Sequence, residues 1–279
     1  MIAARAIPST SGGALATWSE SEAATFDAFV VPHYLVHFSS LALERIAISP
    51  DAQVIHANCR TGHFDAEIAA KLPNAHVYGC DASEAALSLA RARRARSTAA
   101  GGDYLLLANG RIPLQDGAFS HALSLNPEGP AQFLWVLKEA ARLLGPAGQL
   151  VVAAPLADSF PELLDLLREF ALKFDSHDTQ RAIERAALGL PTVESMVSTA
   201  RAEGFAYLDV VTRTTSVSFR SGRDFVESPI LRLGIGPCMA EALANEDALS
   251  YVRDAIDKYY STFPFELTFT VGCLTASRS

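Results

Sequence analysis

From Ser21 onward apolar side chains recur at helical spacing, with Phe26, Phe29, Val30, Tyr34, Leu35, Phe38, Leu41 and Leu43 on successive turns. The pattern predicts an N-terminal helical cap over 21–48. Pro32 lacks an N–H and crowds the turn before it, so it is expected to break or kink this stretch into two pieces. Residues 1–20, rich in Ala, Ser, Thr and Gly with little periodicity before Trp18, read as a flexible tail.

The next hundred residues alternate between two periods. Short runs dense in β-formers predict strands at 53–57, 75–80, 103–108, 119–125 and 148–154. Between them lie helical patterns at 63–72, 83–97 and 130–144, with a capped start at Asp81-Ala-Ser-Glu84 and a stop at Gly145-Pro146. Alternating strand and helix predicts an α/β fold: a Rossmann-like, mostly parallel sheet with right-handed crossovers and helices on both faces. After Pro155 come helices over 158–188, whose polar middle places His177 and Asp178 in a solvent-facing loop. A helix at 192–203, a β-rich run at 205–219, helices over 222–262 and a closing strand at 265–276 complete a single domain spanning 21–279. The 158–188 and 222–262 segments read as helical insertions within it.

Composition narrows the function classes. Hydrophobic residues are 49% and charged residues 19% of the 279, which suits a packed globule. A net charge of −8 argues against nucleic acid as a partner. The basic cluster Arg91, Arg93, Arg94 and Arg96 closes a predicted helix, where cations complement the macrodipole. No apolar run approaches the ~18 residues that would predict a membrane span, and the N-terminus carries no secretory pattern. Four cysteines at 59, 80, 238 and 273 form no CxxC pair, which fits a reducing compartment and makes the cytoplasm the expected location.

Candidate chemistry gathers at the carboxyl ends of the first two strands, where open α/β sheets bind ligands. His56 lies near the end of the first strand, Asn58, Cys59, Arg60, Gly62 and His63 follow it, and Cys80, Asp81 and Ala82 close the second, with Asp81 about where a Rossmann-type unit puts its ribose-binding acid. The mixture of His and Cys permits a metal reading, but no ligand-spacing motif supports it. Arg60 has two readings: a guanidinium recruiting an anion, or a surface arginine paired with Asp81 or Glu84. His33, Tyr34 and His37 on the cap either orient a substrate or close the core.

Three stretches carry a family resemblance: Val77-Tyr-Gly-Cys-Asp-Ala-Ser83, Ile112-Pro-Leu-Gln-Asp-Gly-Ala-Phe119, and Leu137-Lys-Glu-Ala-Ala-Arg-Leu-Leu-Gly-Pro-Ala-Gly-Gln-Leu-Val151. With the order of elements, they resemble the class I S-adenosylmethionine-dependent methyltransferases, in particular the small-molecule branch that includes ubiquinone- and biotin-pathway enzymes. The resemblance implies a reversed last strand and S-adenosylmethionine as cofactor. It also implies binding positions at His56, Asn58, Arg60, Gly62, Asp81, Ala82, Asn109, Gly110 and Asn126.

At those positions the family's first-strand acid is His56, and its three loop glycines are Asn58, Arg60 and Gly62. The adenine-contacting acid is Asn109, and Asn126-Pro127 continues as Glu128-Gly129 rather than as the amino-methylating motif. The resulting expectation is a methyltransferase-like protein with a degenerate cofactor loop, non-catalytic and acting as a binding or regulatory partner for another protein or a second copy of itself. The alternatives are an active methyltransferase on a small molecule and a binding protein for an anionic metabolite.

Overall fold

Ser19 opens the first helix with a reciprocal cap: its Oγ accepts the Glu22 N–H at 3.3 Å, and the Glu22 carboxylate accepts the Ser19 N–H at 2.9 Å. The computed structural model describes residues 17–96, 101–107 and 109–279. Residues 1–16 of the expected tail lie outside the described residues, whereas Trp18 packs on Phe26 at 4.4 Å between ring centroids. The cap runs without interruption from Glu20 to Arg45. It comprises α1 (Glu20–Thr25), a π-helical stretch (Phe26–Leu35) and α2 (Val36–Arg45).

Pro32 therefore neither breaks the cap nor splits it. The ladder widens to π-type turns around the missing N–H, and the helix continues. The same helix is long and apolar enough, by length and composition, to cross a membrane, contrary to the expectation from the sequence. Here Phe26, Val30, Tyr34, Leu35, Phe38 and Leu41 are buried in the core.

Seven strands follow: β1 (Gln53–Ala57), β2 (His76–Asp81), β3 (Tyr104–Leu106), β4 (Phe119–Leu125), β5 (Leu144–Pro155), β6 (Phe205–Phe219) and β7 (Phe265–Arg278). They form one sheet in the order β3-β2-β1-β4-β5-β7-β6. The first five pair in parallel, and β7 runs antiparallel to both β5 and β6. The expected reversed last strand is present, inserted between β5 and the sixth.

The crossovers are α3 (Asp65–Lys71), α4 (Glu84–Ala95), α5 (Pro130–Leu143) and the pair α6 (Pro161–Lys173) and α7 (His177–Gly189) leading to α8 (Val193–Ala202). His177 and Asp178 thus stand in the first turn of a helix rather than in a loop, both on its exposed side. The 222–262 segment contains α9 (Gly222–Val226), a second π-helical stretch (Ile230–Ile235), α10 (Gly236–Met239) and α11 (Glu246–Tyr259).

Alternation along the strands separates two cores. Val54, Leu123, Val151 and Val271 face the cap, α3, α6 and α11, while Ile55, Ala122, Val152 and Leu274 face α5 and α8. Both faces being buried explains why the central strands read as continuous apolar runs. Phe269 is the hub of the cap-side core, with the rings of Tyr34, Phe38 and Phe160 at 4.9, 5.9 and 6.3 Å.

The cationic end of α4 serves more than the macrodipole. Arg93 pairs with Asp27 at 2.7 Å, tying α4 to the cap, and Arg94 lies 4.2 Å over the Tyr104 ring while donating to the Val77 carbonyl.

Candidate functional site

β1 ends at Ala57, and the chain then turns back through three left-handed residues spaced two apart: Asn58 at φ 55°, Arg60 at 52° and Gly62 at 63°. These are the positions at which the resemblance places glycines, so the backbone keeps the shape of a glycine loop without two of its glycines. Asn adopts this region more readily than most residues, but Arg60 carries a steric cost on the order of 1 kcal/mol. Gly62 is retained for a reason visible in the structure: a Cβ there would stand 2.7 Å from the Tyr104 hydroxyl. The turn is fixed to β2 by the Cys59 N–H on the Cys80 carbonyl at 3.0 Å and the Arg60 N–H on Asp81 Oδ2 at 3.0 Å.

The Arg60 side chain does not reach solvent. It is 5% exposed, its guanidinium is hydrogen-bonded to Glu128, lies 4.0 Å from Asp81 Oδ2 and sits 4.9 Å over the Trp18 ring. The expected pair with Asp81 is present, but not at the surface. Arg60 is not a surface arginine, and Glu84 pairs with Arg91 instead. Nor is it free for an anion, because two carboxylates already match it. Burial works against its charge, but Glu128 and Asp81 more than offset this and hold the guanidinium above its ordinary pKa. Trp18 closes the top, its N–H donating to Ser83 Oγ at 3.1 Å.

Asp81 is equally enclosed, at 1% exposure. Its Oδ1 accepts the Ser83 N–H at 2.9 Å and its Oδ2 the Arg60 N–H, so the carboxylate serves as an anchor for the turn. A donor nucleotide needs bare main chain at the loop and an accessible acid for its ribose. In this arrangement Arg60 fills the space between Glu128, Asp81 and Trp18, and the Asp81 carboxylate is taken up by main-chain N–H groups.

Behind the turn lies a second buried group. His56 Nδ1 is 2.6 Å from Asp65 Oδ1, and the Tyr104 hydroxyl donates to Asp65 Oδ2 at 2.7 Å. Burial alone would raise the Asp65 carboxyl, but the charge and hydrogen bond of His56 and the bond from Tyr104 hold it below the usual range. A carboxylate only accepts, so Nδ1 carries the hydrogen. His56, at the position of the family's acid, is thus held by the buried carboxylate of Asp65, nine residues on. His56 Nε2 and both polar atoms of the Asn58 amide are buried without a hydrogen-bond partner.

The other expected positions disperse. Asn126 lies at the end of β4 and its Nδ2 donates to the Gly234 carbonyl at 3.1 Å, holding the second π-helical stretch over the strand ends. Asn109 and Gly110 are exposed, and the Gly110 carbonyl accepts the Trp135 Nε1–H. Ala82 is half-buried beside Asp81, and Cys59 and Cys80 are buried thiols pushed up by desolvation. Of the cap residues, Tyr34 is buried against Phe269, whereas His33 is exposed with its Nδ1 bonded to the Phe29 carbonyl one turn back. Among the described residues no three His, Cys, Asp or Glu side chains converge as metal ligands.

Sequence reasoning missed Glu128, Trp18, Asp65 and Tyr104. The available signal was Arg60 itself, since a buried arginine demands carboxylates, and Glu128 stood at the end of the fourth strand beside a motif already noticed.

A family profile described as a methyltransferase domain matches residues 54–148. That stretch is therefore similar to methyltransferase domains. No curated protein sequence matches the chain. Among solved structures it is similar to the YcgJ protein of Bacillus subtilis, with a TM-score of 0.57 and 10% identity over 87% of this chain and 98% of that one. It is similar to the [4+2]-cyclase SpnF, with 0.51 and 17% over 99% and 88%. It is also similar to Haemonchus contortus phosphoethanolamine N-methyltransferase 2 in complex with S-adenosyl-L-methionine, with 0.56 and 12% over 93% of this chain and 57% of that one. These likenesses establish the methyltransferase fold across the chain.

His63, next to the loop, has both ring nitrogens buried and unpartnered. Burial, reinforced by His56, pushes its pKa down to about 3. A histidine depressed below its unfolded value of about 6.5 contributes stability that is complete above pH 6.5 and is lost as pH falls toward 3. Chemical denaturation across pH 7 to 4 should therefore show stability falling by up to about 1 kcal/mol per pH unit, and His63→Gln should flatten that slope. An unchanged slope in the variant would place the acid sensitivity elsewhere.

Proposed function

We propose that this protein is a methyltransferase-fold binding or regulatory protein that does not use S-adenosylmethionine, because its own arginine fills the donor site. The observation that carries the reading is the burial of Arg60 between Glu128 and Asp81 beneath Trp18. The fold is no obstacle, since this architecture hosts more than one chemistry and a cyclase is among the similar structures. A protein partner or a second copy of the chain is the expected target. The net charge of −8 supports a partner other than nucleic acid, and the four free cysteines, three of them buried, fit the reducing environment of the cytoplasm.

A second reading, an active methyltransferase on a small molecule, draws support from the loop backbone. The positive φ angles at 58, 60 and 62 and the acid at 81 are those of a donor-binding turn. For this reading Arg60 must swing out. The anionic-metabolite reading is the weakest of the three, because the guanidinium is already matched by two carboxylates.

Calorimetry with S-adenosylmethionine and S-adenosylhomocysteine separates the first two. The expected result is no saturable heat, corresponding to Kd above about 1 mM. Micromolar binding, about −8 kcal/mol, overturns the proposal in favour of the second reading. Asn58→Gly combined with Arg60→Gly and Glu128→Gln removes the plug together with its stranded charge. Gain of binding in that variant would show that the arginine alone closes the site.

A further inference from the structure

We propose that the cleft between α5 and α8, at the carboxyl ends of β4 and β5, is a binding site for a neutral apolar small molecule with about the bulk of a two-ring aromatic. The cleft encloses about 330 Å³. That lies at the lower end of the range for ligand sites, and a cavity of about 150 Å³ already holds benzene.

Its walls exclude a charged or strongly hydrogen-bonding guest. Pro127, Pro130, Pro155 and Pro191 line it, and none of these has an N–H to offer. Backbone donors of the lining are spent within the chain, Gly129 N–H on the Pro127 carbonyl at 3.0 Å and Phe133 N–H on the Gly129 carbonyl at 3.1 Å. Two hydroxyls face the space, and both are committed to backbone. Ser195 Oγ donates to the Thr192 carbonyl at 2.9 Å and accepts the Thr192 N–H at 2.8 Å, while Thr199 Oγ1 donates to the Ser195 carbonyl at 2.7 Å.

No charged side chain lines the cleft, because Glu128, between two lining residues, turns away to Arg60. The rest of the wall is hydrocarbon, with the Phe133 ring inside and Leu188 at the mouth, 84% exposed. A charge placed here would lose its hydration and gain no partner, whereas an apolar guest loses nothing and covers the exposed rim. The cleft lies on the α5/α8 face of the sheet, and its assignment is independent of the donor-site reading; calorimetry with S-adenosylmethionine tests one and an apolar probe the other.

The test is titration of the full chain with N-phenyl-1-naphthylamine, whose fluorescence rises on leaving water. One saturable site is expected, with naphthalene displacing the probe at least about tenfold more effectively than 1-naphthoate. Thr199→Trp, which fills the half-buried wall of α8, should abolish the enhancement while leaving the melting temperature near that of the parent. On methyl-labelled unmodified protein, shifts induced by naphthalene should be confined to the methyls of Leu134, Ala154, Leu188, Leu190 and Thr199. Enhancement that never saturates, naphthoate competing as well as naphthalene, or shifts spread to the cap-side core would each overturn the assignment. Undiminished binding in a folded Thr199→Trp variant would do the same.

Discussion

Arg60→Met should lower the free energy of unfolding by about 3–5 kcal/mol, the usual cost of stranding one side of a buried ion pair. The substitution removes the only cation, among the described residues, paired with Glu128 and Asp81 and leaves two buried carboxylates side by side. The companion variant Arg60→Met/Glu128→Leu should recover most of that loss, since replacing both buried charges by hydrocarbon of similar volume is often neutral or stabilising. Guanidinium denaturation at constant m-value, arranged as a double-mutant cycle, reads the coupling directly. A single variant within 1 kcal/mol of the parent would mean that the guanidinium reaches water in solution, and the self-closed donor site would fall with it. The cycle thus tests the same contact as calorimetry by a readout that needs no ligand.

Phe269→Ala should cost a comparable amount, about 3–5 kcal/mol, as large aromatic truncations in cores do. The ring is fully buried in the first half of β7 and packs with the rings of Tyr34, Phe38 and Phe160, with the His37 ring edge-on at 5.6 Å between centroids. The reversed strand therefore carries the cap, and the cap carries Trp18 over Arg60. Hydrogen exchange in this variant should quicken along Glu20–Arg45 ahead of β1 and β4, because the lost contacts join the cap to the sheet. Uniform quickening throughout the chain would instead show that cap and sheet open as one unit.

The alternation of periods along 53–155 was enough to specify a mostly parallel sheet with helices on both faces, because strand and helix patterning is local and both faces are buried. The departures at positions 56, 58 and 60 were equally plain in the residue types. Their consequence was not. Whether Arg60 pointed outward or inward depended on Glu128, 68 residues away, and on Trp18, which lacks any periodic context.

Likewise the missing acid at His56 looked like a simple loss until Asp65 and Tyr104 were seen beside it, and Pro32 looked like a break until the cap wrapped through it as a π-helix. The sequence by itself determined the fold and located the altered loop, since both follow from spacing and side-chain chemistry. Only the tertiary structure decided what fills the loop and where a cleft opens. Pairing of buried charges and the space left between helices depend on residues that the chain order keeps far apart.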